Sequence, residues 1–230
     1  MKKITLLILA LAIFACNTKK DTKEQKDDAP QEISTIVLDQ LWASDSILET
    51  PDAVLYDVDN NLIYVANMGL NPKAEKDNNG FISRLSTEGE IIDLKWVSGL
   101  NDPKGMGLYD GKLYVTDIDE VVEIDQKTGE VLQLIATDNA QFLNDLAIDD
   151  KGTVYFTDSR ANEILMYKNG EVSSLLKADT LNSPNGLMMQ EGKLLAVSFR
   201  SGHLFTIDLD DVSYQSRCAV AGHIPNPPPN

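Results

Sequence analysis

The apolar and polar positions of this 230-residue chain recur in four matching segments. These are LIYVAN from Leu62, LYVTD from Leu113, VYFTD from Val154 and LLAVS from Leu194. Their equivalent residues Tyr64, Tyr114, Tyr155 and Leu195 are separated by 50, 41 and 40 residues. A second marker keeps step, because Gly89, Gly129 and Gly170 each precede Glu and an aliphatic residue, at intervals of 40 and 41. Two markers sharing one period are the signature of a repeat architecture. The first interval is long because residues 71–79, NPKAEKDNN, form a polar insertion.

Within one repeat, the alternation predicts strands over Leu143–Asp149, Val154–Asp158, Glu163–Lys168 and Val172–Leu176, with turns at Gly152 and Asn169-Gly170. Four short strands per repeat make the blade of a β-propeller. The expected fold is therefore all-β, with about four blades of four antiparallel strands over residues 33–211. Each blade carries apolar residues on both faces and needs its neighbours to bury them. Ser34–Leu41, STIVLDQL, reads as an outer strand that would complete the last blade. Residues 212–230 read as an irregular Pro-rich tail, since PNPPPN cannot supply the donors of a central strand.

The N-terminus follows another pattern. Lys2 and Lys3 precede an apolar run, Ile4 to Ala15, broken only by Thr5, which reads as a secretory signal over residues 1–15. Twelve residues are too few for a comfortable membrane-spanning helix. The sequence Ile13-Phe14-Ala15-Cys16 resembles a bacterial lipobox, which implies lipidation of Cys16, a membrane anchor, and a domain facing the periplasm or the exterior; an ordinary signal peptide is the alternative. Residues 16–32 then form a polar tether without enough apolar surface to fold. Cys218 is the only other cysteine, so no internal disulfide framework is expected. Lys and Arg total 20 against 36 Asp and Glu, a net charge of -16 that argues against nucleic acid as a partner and favours cations.

Candidate chemistry lies where each blade's inner strand begins. The motifs there are Glu49-Thr50-Pro51-Asp52, Asp102-Pro103-Lys104-Gly105, Leu143-Asn144-Asp145 and Pro184-Asn185-Gly186. Equivalent points of every blade face the pseudo-symmetry axis, so these motifs converge on one mouth. With only His203 and His223 present, a histidine-rich zinc site or a Ser-His-Asp triad is not expected. Tyr64, Tyr114, Tyr155 and Phe205 read as core filling, whereas Trp96 and Phe142 lie just before inner strands and are candidates for the mouth.

Over about Leu48 to Asp210, these motifs resemble the gluconolactonase and regucalcin family of six-bladed propellers. The resemblance implies that Glu49 within ETP, Asn144 within LNDLAID and Asn185 within SPNGL hold a divalent cation. Calcium is the first choice for such oxygen donors, with zinc or manganese as alternatives. The family's fourth ligand, an Asp in a P-D-G motif, has no match. By the same resemblance the cation would polarise a lactone or ester carbonyl, and Asp145 or Asp52 would handle the proton. Lys104 would contact an anionic substrate or offset the acidic mouth. Four repeats against the family's six read as a relative lacking about two blades; a true four-bladed ring is the alternative. The implied function is a membrane-anchored, cation-dependent hydrolase of lactones or related esters, with a small lactone or sugar-acid type ligand. Two other readings stay open: a non-enzymatic ligand- or protein-binding module of the cell envelope, or an inactive truncated fragment.

Overall fold

The computed structural model describes residues 38–70 and 72–218. The chain divides into two units, residues 1–39 and 40–230, and the first lies outside the described residues apart from Leu38 and Asp39. The signal segment, Cys16 and the tether therefore lie outside them too.

The second unit is four antiparallel sheets, each a meander of four sequential strands. Blade 1 holds β1 (Pro51–Asp57), β2 (Leu62–Asn67), β3 (Gly80–Ser86) and β4 (Ile91–Leu100). Blade 2 holds β5 (Pro103–Tyr109), β6 (Lys112–Asp117), β7 (Glu120–Asp125) and β8 (Val131–Ala136). Blade 3 holds β9 (Leu143–Ile148), β10 (Val154–Asp158), β11 (Glu163–Lys168) and β12 (Glu171–Lys177). Blade 4 holds β13 (Pro184–Gln190), β14 (Lys193–Ser198), β15 (His203–Asp208) and β16 (Tyr214–Cys218). Among the described residues, the one other regular element is a 3-10 turn, Asp179–Leu181. The third blade follows the alternation read from the sequence to within a residue at each strand end. Hairpin signals hold as well: Asn169 and Gly170 both adopt positive φ between β11 and β12.

Inner strands β1, β5, β9 and β13 lie side by side in chain order. Three apolar layers join the four blades. The first, between blades 1 and 2, contains Tyr64, Ile82, Leu113 and Ile124. The second contains Val121, Leu143, Val154 and Phe156, and the third Ile164, Leu194, Phe205 and Ile207. Burying one such side chain contributes about 1.5–3 kcal/mol. The outward faces of the end blades share no such layer. Val54 and Tyr56 of β1 are 70% and 53% exposed, and Met188 and Val197 of blade 4 are 58% and 44% exposed. The four blades thus form a partial β-propeller rather than the closed four-bladed ring held as an alternative.

Two expectations need correction. The tail expected from residue 212 begins instead with strand β16, which pairs with β15 from Ile207–Tyr214 to His203–Cys218. This strand has little apolar content because it is the outer edge of its sheet. Tyr214 ties it inward by meeting Phe205 edge-on at 6.0 Å and Thr180 Oγ1 at 3.0 Å. The outer strand expected over Ser34–Leu41 is absent from its described part, Leu38 to Leu41, where both leucines are 89% exposed.

Candidate functional site

The last residue of each blade's second strand fixes the start of that blade's inner strand. In blade 2, Asp117 Oδ2 accepts hydrogen bonds from Asn101 N at 2.8 Å and Asn101 Nδ2 at 3.0 Å, and Oδ1 accepts one from Asp102 N at 2.7 Å. In blade 3, Asp158 accepts from Gln141 N at 2.6 Å and Phe142 N at 3.2 Å. In blade 1, Asn67 Oδ1 accepts from Glu49 N at 3.1 Å, and in blade 4 Ser198 Oγ donates to Asn182 O at 2.6 Å. Each anchor is buried. In blades 2 and 3 these bonds are charge-assisted and satisfy backbone donors, in blade 1 a neutral amide oxygen does so, and in blade 4 the hydroxyl satisfies a backbone carbonyl. Burial still outweighs the donors around Asp117 and holds its carboxyl above the ordinary carboxylate range.

The preceding residue clamps one blade to the next. Thr116 Oγ1 donates to Asn144 O at 2.5 Å, and Thr157 Oγ1 donates to Asn185 O at 2.8 Å. Each threonine therefore holds the backbone of a candidate ligand-binding asparagine in the following blade. The close approach of inner strands explains Gly105, where a Cβ would lie 2.5 Å from Asp145 Cα and 2.6 Å from Leu146 N.

The inner-strand starts enclose a cavity of about 570 Å³ lined by Asp52, Asp102, Lys104, Phe142, Asn144 and Asn185, among others. Of the expected site residues, the fold brings Asp52, Lys104, Asn144 and Asn185 together here. Among the described residues, the side-chain amides of Asn144 and Asn185 have no hydrogen-bond partner in the protein and are free for a ligand. Phe142 lines the cavity as anticipated. Trp96 instead packs 5.2 Å from Tyr64 beneath Arg84.

Two expected residues stand elsewhere. Glu49 is not among the lining residues, and its carboxylate lies 3.8 Å from Lys95 on the outer strand of blade 1. Asp145 is also outside the lining: Oδ2 accepts from Leu187 N at 2.7 Å and Oδ1 from Leu146 N at 2.9 Å, bridging blades 3 and 4. Burial lifts its carboxyl while these two N–H groups pull it back. Both oxygens are thus committed to backbone donors, and the side chain is a strut between inner strands.

Lys104 dominates the electrostatics of the cavity. It is 4% exposed, and its Nζ contacts Met68 Sδ at 3.1 Å and Asp102 O at 3.2 Å, with the Phe142 ring centroid 4.9 Å away. Burial pushes its ammonium below the ordinary lysine range, against the attraction of Asp102, Asp52 and Asp117. Desolvation lifts Asp52, which keeps one side open to solvent, while Lys104 pulls it down.

Asp52 and the amide oxygens of Asn144 and Asn185 are fewer side-chain donors than a resident divalent cation takes. Calcium requires about six to eight oxygen donors, whereas Glu49 is outside the lining beside Lys95, Asp145 is committed, and Asp102 Oδ2 accepts from Ala74 N at 2.7 Å. A buried ammonium already occupies the neighbourhood, and a like charge beside it is unfavourable.

Several lining residues were not legible as such. The insertion folds over the mouth, where Pro72, Lys73 and Ala74 join the lining and Lys76 pairs with Asp119 at 2.8 Å. Arg160 and Arg200 also line the cavity. A signal for them existed: each stands two residues after its blade's anchor, Asp158 or Ser198, so the repeat alignment places both at one level of the mouth.

No protein-family profile matches the chain, and no curated protein matches it. Solved structures do. The chain is similar to one in the crystal structure of the nidogen/laminin complex, at 17% identity and a TM-score of 0.59, covering 74% of this chain and 64% of that one. It is similar to virginiamycin B lyase from Staphylococcus aureus, at 14% identity and 0.57, covering 73% and 55%. It is also similar to the extracellular domain of a one-component system from B. thetaiotaomicron, at 18% identity and 0.54, covering 73% and 24%. The chain thus spans less than two thirds of each of these proteins. At these identities the likeness establishes the fold, and the chain's architecture is that of a β-propeller.

Proposed function

We propose that the protein is an exported, lipid-anchored propeller module that binds a small polar ligand at the mouth of its blades. The observation that carries this reading is the convergence of inner-strand starts from all four blades on one cavity, with the amides of Asn144 and Asn185 uncommitted inside it. Cavities of several hundred Å³ with a few placed polar groups are the usual form of small-molecule sites. The lipobox-like run ending at Cys16 supports anchoring. Among the described residues no helix is long and apolar enough to cross a membrane.

The gluconolactonase and regucalcin resemblance also implies cation-dependent hydrolysis of a lactone or ester. The donor set around the cavity gives that chemistry no support, so binding without turnover is the favoured reading. Its test is a panel of neutral sugars, lactones and organic acids screened for a saturable shift in thermal midpoint, with and without a chelator. The reading expects a shift that survives the chelator, is lost in N144A/N185A, and occurs without product. A shift unchanged in the double variant, or chelator-sensitive lactone opening, overturns it. Labelled palmitate incorporated by the wild type and lost in C16S tests the anchor.

A further inference from the structure

The mouth inverts the charge of the molecule. The chain as a whole carries 20 basic and 36 acidic residues, yet the cavity lining holds four basic side chains, Lys73, Lys104, Arg160 and Arg200, against Asp52 and Asp102. The ion pairs among the described residues all lie elsewhere and include none of these four cations. Lys104 and Arg160 converge on one ring, with Nζ 4.9 Å and the guanidinium carbon 4.5 Å from the Phe142 centroid. Lys104 has three donors, and the protein gives its buried ammonium only a thioether and one carbonyl. Asp102, Asp52 and Asp117 attract it, but none gives it a side-chain hydrogen bond, and a buried ammonium with an unmet donor is costly.

Resting on the ligand-binding reading above, we infer that the unmet donor of Lys104 and the unpaired cations around it mark the ligand: the mouth is a site for an oxyanion, carboxylate or phosphate. The oxyanion takes the open donor of Lys104 and the guanidinium of Arg160, and the free amides of Asn144 and Asn185 hydrogen-bond the adjoining atoms. Arg200 and Lys73 draw the anion toward a mouth set in an otherwise repelling surface. Phe142 keeps both cationic heads in place through its ring face.

Isothermal titration of the full chain with citrate, inorganic phosphate and chloride, at matched ionic strength, tests this. Citrate, phosphate or both should bind saturably and chloride should not, and the stronger of the two identifies the oxyanion. K104M, which exchanges the ammonium for a thioether of similar shape, should weaken binding about tenfold or more. R160Q alters an exposed side chain outside the core and should weaken binding several-fold. Equal affinities in wild type, K104M and R160Q would overturn the inference, as would a wild type that binds neither oxyanion. If the oxyanions fail while a neutral sugar binds and is lost in N144A/N185A, the mouth is a ligand site of another chemistry and only this inference falls.

Discussion

The ammonium of Lys104 lies 3.1 Å from the thioether sulfur of Met68, in a position where a buried cation ordinarily meets a carboxylate. Asp102, its nearest sequence neighbour of opposite charge, gives it only a backbone carbonyl and spends Oδ2 on Ala74 N. The geometry keeps a charge in reserve at the base of the cavity, at a cost to the stability of the unliganded fold.

That cost should be measurable. K104M removes the desolvated charge and should raise unfolding free energy by about 1–3 kcal/mol at neutral pH. Because burial lowers the folded-state pKa of Lys104, the unfolded chain binds the extra proton between that lowered value and the ordinary lysine range. Wild-type stability should therefore rise relative to K104M as pH increases through that window. Urea titrations of the pair across neutral to alkaline pH check it, and a difference independent of pH would count against a charged Lys104.

Asp117 anchors the start of β5 with three accepted hydrogen bonds. D117N places an amide donor where one backbone N–H already points, and should cost about 1–3 kcal/mol. D208N, which removes the exposed Lys193–Asp208 pair, should shift the denaturation midpoint far less, because solvent screens that pair. Comparing their chemical denaturation midpoints tests whether the anchor position is structurally special.

The clamp from Thr157 to Asn185 predicts a linked loss. T157V leaves Asn185 O without its donor and Asp145 N without its acceptor, and should destabilise by about 1–3 kcal/mol. T157S keeps the hydroxyl and should cost less. Ligand affinity should follow the same order, because the clamp positions the asparagine backbone.

Much of the architecture could be read from the chain because a propeller repeats its burial pattern. Tyr64, Tyr114 and Tyr155 mark the second strand of three blades, and the steps between them gave blade number and strand order directly. β16 was missed for a physical reason, since an edge strand such as Tyr214–Cys218 needs hydrogen-bond partners more than apolar side chains. The site was only half legible. Asn144 and Asn185 announce the mouth through their repeat positions, but Asp145 stands beside Asn144 in sequence and points into the gap between blades. Strand alternation separates neighbours in this way, and adjacency in a motif does not show which of two side chains meets the ligand. Asp117 and Asp158 were visible as repeat markers, yet their anchoring role depends on backbone donors that no side-chain pattern reveals.

Gly105 ties the clamp to the core. G105A should destabilise the chain by about 1–3 kcal/mol through overpacking, since the new methyl would press on the Asp145 backbone. Gly192 adopts positive φ in a turn with open space around it, so G192A strains only the local backbone. Thermal midpoints should fall further for G105A than for G192A.

The central claim is that the inner-strand starts of all four blades form one ligand site around Lys104. The most direct measurement is a citrate or phosphate titration of isotope-labelled protein, followed through the side-chain amide resonances of asparagine. The account predicts that Asn144 and Asn185 shift together and saturate at one concentration, and that both responses disappear in K104M. Shifts confined to other asparagines, or an unchanged response in K104M, would contradict it.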